Sequence, residues 1–295
     1  MAVASLRIQI VRYENPLETL LRTVASINAS LELARQAGVL DDAEIIVGDC
    51  SPARLPEWER LNDVAEAVGG VGYRHFAENL GSGGGSNRLA ADAQTDLLLV
   101  LNPDTYVVPS LVSTMVTFFN ADPAIGIADA RQLPLEHPKA YDRDTRETSW
   151  ASGACMMIRG TAFLEVGGFD AEFFPLYCDD VDLSWQIRRA GWRCIHVASA
   201  AVFHDKRISL DGIPVASDRE IHSGTLARLF LTLKWGRNDL HLESIAACEA
   251  SNDVRVSEAL DEFREYEKAG NLPTEVPGAD QVAEFVSGNY ANHRF

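Results

Sequence analysis

No stretch of this sequence approaches the roughly 18 apolar residues that a membrane-spanning helix requires, and its N-terminus lacks a charged segment followed by an apolar one. The expected location is cytoplasmic, at most peripheral at the inner face of a membrane. Cysteine is scarce: Cys50, Cys155, Cys178, Cys194 and Cys248 are widely spaced, with no C-x-x-C pair and no Cys/His zinc spacing. That pattern excludes a disulfide framework and a structural zinc site, and reads as free thiols in a reducing compartment. Positive charge is also in short supply, 26 Lys and Arg against 43 Asp and Glu, for a net charge of -17. Such a chain repels nucleic acid and anionic lipid at long range, and no local basic patch offsets this. A phosphate-containing ligand would need a divalent cation to bridge it to so acidic a protein. Internal repeats and low-complexity tracts are absent.

What is present suits a large globular unit: 295 residues, 46% of them hydrophobic. Leu6–Val11 alternates like a strand, and Pro16 opens a helix through Leu17, Leu20, Leu21 and Val24. Ala43–Val47 reads as a second strand ending at Asp49, with Asp41-Asp42 as loop, and Gly72–Phe76 as a third. Strand, helix, strand is the opening of a doubly wound sheet. The glycine-rich stretch Asn79–Arg88 reads as a loop before a short helix through Leu89–Ala93, and Leu97–Leu101 as a buried strand stopping at Asn102-Pro103-Asp104. Leu111–Phe119 has helical spacing, Ile125–Ala128 is a weak strand, and residues 131–148 are expected to form a mobile loop. Arg159–Val166 and Asp179–Ala190 follow as helices and Cys194–Val202 as a strand. Beyond His204 come two amphipathic helices, Leu226–Leu233 and Val256–Tyr266.

In an open parallel sheet the ligand lies beyond the C-terminal ends of the strands, which directs attention to Asp49, Asp104 and the glycine stretch. Each has a plain alternative. Asp49-Cys-Ser-Pro is good turn chemistry; an Asp after a strand is common; a solitary histidine such as His204 is usually a surface residue. Three glycines strip side chains from a backbone that must approach a ligand, but neither the dinucleotide fingerprint nor the P-loop spacing is present. Asp179, Asp180 and Asp182 suit a helix start, where carboxylates complement the macrodipole and remain ionised. Three acids in four residues exceed what one cap needs.

Taken in order, the segments Ile10–Asn15, Ile45–Asp49, Glu78–Arg88, Leu101–Thr105, Ala151–Cys155, Val166–Asp170 and Tyr177–Leu183 through Arg188–Trp192 resemble the family-two glycosyltransferases of the GT-A fold, in particular the rhamnosyltransferase-like branch. The resemblance covers roughly Leu6 to His204. It implies an α/β, Rossmann-type nucleotide-binding domain with a mixed, mainly parallel sheet over residues 1–222. Residues 223–295 would form a helical extension serving acceptor binding or a homodimer.

By the same resemblance, Tyr13 and Asp49 would contact the nucleoside. Asn79, Gly81, Gly84, Asn87 and Arg88 would line the donor pocket, with Asn102, Trp150, Gly153 and Asp179 also on substrate. Asn102-Pro103-Asp104 matches a degenerate D-x-D motif, so Asp104, completed by His204, would hold Mg²⁺ or Mn²⁺. Asp180 would be the catalytic base of an inverting transfer. The chain departs from the pattern at Arg12, where Thr is usual, and at Gly48-Asp49-Cys50-Ser51, where Asp-Asn-x-Ser is usual. No processive Gln-x-x-Arg-Trp signature is evident, so a single sugar would move from a dTDP-rhamnose-like or UDP-sugar donor to a hydroxyl of a glycan, lipid-linked saccharide or natural product.

Competing classes fit less well. A nucleotidyltransferase would carry a glycine- and arginine-rich loop after the first strand, whereas Arg12–Pro16 has no glycine. A non-catalytic nucleotide-sugar-binding protein would have no need of both Asp104 and Asp180.

Overall fold

The computed structural model describes residues 4–206 and 215–291. Strand β1 (Ala4–Arg12) buries Leu6, Ile8 and Ile10 completely and leads through Pro16, whose φ of -62° suits a helix entry, into α1 (Leu17–Gln36). β2 (Leu40–Asp49) and β3 (Val71–His75) add in parallel to one side of β1. The chain then crosses back through α2 (Gly81–Ala90) to β4 (Leu97–Leu101), which pairs in parallel with the other side of β1. This reversal makes the carboxyl ends of β1 and β4 the switch point where ligands of open α/β sheets bind.

After β5 (Thr105–Val107) and α3 (Leu111–Ala121) come β6 (Ile125–Leu133), the antiparallel β7 (Cys155–Arg159), α4 (Gly160–Glu165), α5 (Asp179–Arg189) and β8 (Arg193–His204). The described strands form a mixed sheet in the order β3-β2-β1-β4-β7-β6-β8-β5. β4 is buried at every position, as its unbroken Leu/Val run requires of a strand covered on both faces.

Three local expectations change. Asp41 and Asp42 belong to β2: their side chains are exposed, and Asp42 pairs with Ser5 just after a register shift at the strand's start. The glycine stretch is itself helical, because packing outweighs propensity. A Cβ on Gly85 would lie 2.6 Å from Val11 Cγ1, and one on Gly83 2.9 Å from Phe169 Cβ, so the bare backbone lets α2 sit hard against the sheet and the segment before α5. Residues 131–148 are pinned rather than loose: the Lys139 side chain is 3% exposed, and its Nζ donates to Trp150 O at 2.6 Å.

The C-terminal region consists of α6 (Asp218–Lys234), opened by a Ser217/Glu220 capping box, then α7 (Asn238–Glu249), which the polar sequence concealed, and α8 (Val254–Ala269). The boundary read between 222 and 223 falls inside α6. These helices share a core with α5: Trp185 and Trp235 meet edge to face at 5.2 Å, beside fully buried Phe174 and Phe230. Asp182 on α5 accepts from Lys234 Nζ at 2.8 Å and Trp235 Nε1 at 2.9 Å. Ala227, Leu229, Phe230 and Leu231 of α6 are therefore buried within their own chain. Asp182 is a docking residue, which separates it from its neighbours Asp179 and Asp180.

Candidate active site

Asn102-Pro103-Asp104 follows β4 at the switch point. Antiparallel pairing of β5 with β8 sets Thr105 opposite His204, and Asp205 N donates to Asp104 O at 3.0 Å. The register brings His204 Nε2 to 3.4 Å from Asp104 Oδ1. Gln132 on β6 is oriented by its amide, which donates to Ser152 Oγ at 2.6 Å, and presents Oε1 to His204 Nδ1 at 3.3 Å. An amide oxygen only accepts, so Nδ1 is the donor. A neutral ring then turns the lone pair of Nε2 toward a carboxylate. Two facing acceptors suit a cation between them, and a histidine whose second nitrogen is held is a standard metal-ligand arrangement. Among the described residues no third His, Cys, Asp or Glu joins the pair. One carboxylate and one imidazole, with diphosphate oxygens and water for the rest, fits Mg²⁺ or Mn²⁺.

The other acids enter from the start of α5. Asp180 Oδ2 accepts from Gly153 N at 2.8 Å and Oδ1 from Val181 N at 2.9 Å. The helix start does supply donors, but burial outweighs them: desolvation pushes the Asp180 carboxyl above the usual carboxylate range against the pull of both N–H groups and Lys139. Asp179 is pushed up too, by burial and then by the Asp180 charge. This pair is less readily ionised than a helix start alone predicts.

Asn102, Asp104, Trp150, Gly153, Asp179, Asp180 and His204 all line one cleft of about 540 Å³. The remaining expected contacts lie elsewhere. Asp49 is fully buried, and its carboxylate is taken up by Ser51 N, Leu55 N, the Tyr73 hydroxyl and an ion pair with Arg12. The unusual Arg12 thus pairs with an acid that is enclosed within the protein, its Oδ2 shared by Leu55 N, the Tyr73 hydroxyl and Arg12. Tyr13 lies beneath the Arg219 guanidinium, 5.1 Å from its ring centroid. Gly81 has φ +69° and is seated where a Cβ would collide with Pro175 O at 2.0 Å, and Gly84 packs against Ala171. Asn87 clamps Phe169, donating to its O at 2.8 Å and accepting from its N at 2.9 Å. Asn79 accepts from Gly81 N at 3.3 Å, and exposed Arg88 faces Glu78 and the Phe76 ring. From this stretch Ser82 lines the cleft.

Sequence reasoning missed Ser152, Glu220 and Tyr290, which also line it. Tyr290 packs edge to face on Trp150 at 5.3 Å, although 140 positions separate them in the chain. A lone aromatic near the end of a sequence carries no signal of that return. Ser217 and Glu220 did carry a signal, the capping-box spacing.

The family model described as glycosyl transferase family 2 matches residues 10–181, more than half of the chain. The chain belongs to glycosyl transferase family 2. Within curated proteins it is similar to N-acetylglucosaminyl-diphospho-decaprenol L-rhamnosyltransferase of Mycobacterium tuberculosis, 40% identical over 80 residues, 27% of this chain and 26% of that one. It is also 36% identical over 67 residues to rhamnosyltransferase WbbL of Escherichia coli, 23% of this chain and 25% of that one. These matches span about a quarter of each relative's length.

Solved structures share the GT-A fold. GalNAc-T7 with UDP, GalNAc and Mn²⁺ superposes with a TM-score of 0.59 at 14% identity, over 92% of this chain and 55% of that one. Mannosyltransferase PcManGT of Pyrobaculum calidifontis, in complex with GDP-Man and Mn²⁺, gives 0.57 at 14% identity, over 90% and 81%. Among the described residues, no helix of this family 2 chain is long and apolar enough to cross a membrane.

The strained acid pair of this family 2 site has a thermodynamic signature. Because the folded-state pKa of Asp179 is raised, its contribution to stability is present below the unfolded value of about 3.9 and is lost as pH rises through the folded value. Asp179→Asn, which never ionises, should therefore melt above wild type at neutral pH without ligand. The gain should shrink toward zero as pH falls to about 4. Melting curves across pH test this, and equal melting points at pH 7.5 would contradict it.

Proposed function

We propose that this family 2 chain transfers a single sugar from a nucleoside-diphosphate sugar to an acceptor hydroxyl with inversion, using a divalent cation. The observation that carries the proposal is the meeting in one cleft of the Asp104–His204 pair with Asp180, from β5/β8 and from α5. Asp104 and His204 would hold Mg²⁺ or Mn²⁺, which when bound supplies positive charge to a departing diphosphate. Asn102, Ser82 and Asp179 line the same cleft and would contact the donor. Asp180 would accept the hydroxyl proton as the acceptor oxygen attacks the anomeric carbon on the face opposite the leaving group. Its Oδ2, fixed by Gly153 N, leaves lone pairs for that proton.

The rhamnosyltransferase relatives favour a dTDP-rhamnose-like donor and a lipid-linked saccharide acceptor, the latter reached at the inner membrane face. UDP-sugars are the second donor class. Helices α6–α8 and the segment carrying Tyr290 would form the acceptor side, since Trp150 and Tyr290 offer aromatic surface beside Asp180. Thermal-shift screening against UDP-, dTDP- and GDP-sugars with and without Mn²⁺ tests the donor. A metal-dependent rise in melting point with one nucleotide-sugar class is expected, since binding to the native state stabilises it by mass action. No shift with any of them would remove the proposal.

A further inference from the structure

Behind the cleft lies a charged cluster to which no role has been assigned: Lys139, Asp129 and His196. Asp129 on β6 is fully buried. Its carboxylate is ion-paired with Lys139 Nζ, accepts from Ser152 N at 2.9 Å and meets His196 Nδ1 at 2.9 Å. Lys139 Nζ also donates to Trp150 O at 2.6 Å and lies 4.8 Å from the Trp150 ring centroid. Buried ion pairs are a poor route to stability, because apolar residues of similar volume often do as well or better. Fold stability alone therefore does not account for placing one here.

What the cluster touches suggests its use. Four consecutive residues are each held by a different group: Trp150 O by Lys139, Ala151 N by Ser184 Oγ at 3.0 Å, Ser152 N by Asp129 Oδ2 at 2.9 Å, and Gly153 N by Asp180 Oδ2 at 2.8 Å. One end of this short segment is tied to Lys139, and the other holds Asp180. The titratable and charged groups acting around the acid pair include Asp179 and Cys178 at the start of α5, Asp129 on β6, Tyr290 from the C-terminal segment and Lys139, and Asp104, His137, His204, Asp205, Lys206 and Glu220 line the same cleft. Lys139 is the buried cation among them, and its charge acts on Asp180.

We propose that Lys139 is a positioning residue for the transfer step, locking with Asp129 the Trp150–Gly153 segment that aims Asp180 and offsetting the Asp129 charge beside it. The inference rests on Asp180 being the base. Burial, first, and Asp129 disfavour the ionised form of Asp180, while Lys139 favours it. Removing the cation therefore hands Asp180 an uncompensated neighbouring anion, and removing the anion does the reverse.

The test is the pH dependence of kcat at saturating donor and acceptor in the full chain. Lys139→Met should move the acid limb up by about one unit or more, leaving donor affinity unchanged. Lys139→Arg, which retains the charge, should keep the wild-type limb. Asp129→Asn should move the limb down, and this opposite shift keeps the inference testable if Lys139→Met does not fold. The double variant Lys139→Met/Asp129→Asn should lie nearer wild type than Lys139→Met. Limbs superimposable on wild type in folded Lys139→Met or Asp129→Asn, with only amplitude lost, would overturn the assignment and leave Lys139 a structural residue. Full turnover by Asp180→Asn would instead remove the base assignment itself, so the two failures are distinguishable.

Discussion

Asp180→Asn should lower the transfer rate by about 100- to 10,000-fold, the range that loss of a general base produces, with little change in donor affinity. The reason lies in the timing of the proton. A carboxylate is a far weaker base than an alkoxide, so it takes the hydroxyl proton only late, when the attacking oxygen has become acidic; it must be ionised and correctly placed at that moment. Gly153 N and Val181 N place it, one on each oxygen. An amide can match one of those contacts but cannot accept the proton. Because burial raises the Asp180 pKa, the acid limb of the rate profile should lie above the ordinary carboxylate value of about 3.9. Activity should fall as pH drops through that limb, since the protonated acid is inert as a base. Asp179→Asn should be milder at the chemical step, and Asp182→Asn should act on stability, because Asp182 is committed to Lys234 and Trp235. Near-normal turnover by Asp180→Asn, or a product with retained anomeric configuration, would end this assignment.

Asp104→Ala should weaken binding of a nucleoside-diphosphate sugar at least about 100-fold, since loss of a mere outer-shell partner of a metal ligand already costs 10- to 100-fold. EDTA should have the same effect on the wild-type chain and little further effect on the variant. The charge balance makes this a large term: with 43 acidic against 26 basic residues, the chain as a whole repels a diphosphate. His204→Ala should be less severe, because the carboxylate remains. Gln132→Ala probes the same site from outside: it removes the acceptor for His204 Nδ1 and frees the ring to turn, so metal affinity should fall while the charge of the site is unchanged. A free nucleoside, lacking phosphates, should bind equally to wild type and Asp104→Ala. Calorimetry with and without Mn²⁺ measures all of these, and equal nucleotide-sugar affinity in the two conditions would defeat the metal assignment.

The strands β1 and β4 and the helix α5 were legible in the sequence because their signals are local. An alternating or unbroken apolar run bounded by Asn-Pro-Asp, and acids then arginines bracketing a helix before Gly191, need no distant partner to be read. The glycine stretch misled for the opposite reason. Three glycines speak for a loop by propensity, yet the close approach of Val11 and Phe169 makes them the residues that let a helix form there. Residues 131–148 looked mobile because they are polar and proline-containing with no periodicity; the burial of Lys139 rests on Asp129 and on Trp150 O, partners that only the fold brings to it.

The sequence by itself determined the α/β class, the family and the identity of Asp104, His204 and Asp180 as the residues to examine, because residue type, order and spacing are properties of the chain. Only the tertiary structure decided which acids are free to act. Asp49, Asp129, Asp179, Asp180 and Asp182 are chemically identical in the sequence, but Asp49 is consumed by Arg12, Tyr73 and two backbone amides, Asp129 by Lys139 and Asp182 by α6. Asp179 and Asp180 alone of these line the cleft, with carboxyls that burial makes harder to ionise. Desolvation and long-range pairing set the availability of a carboxylate, and both arise only when distant parts of the chain meet.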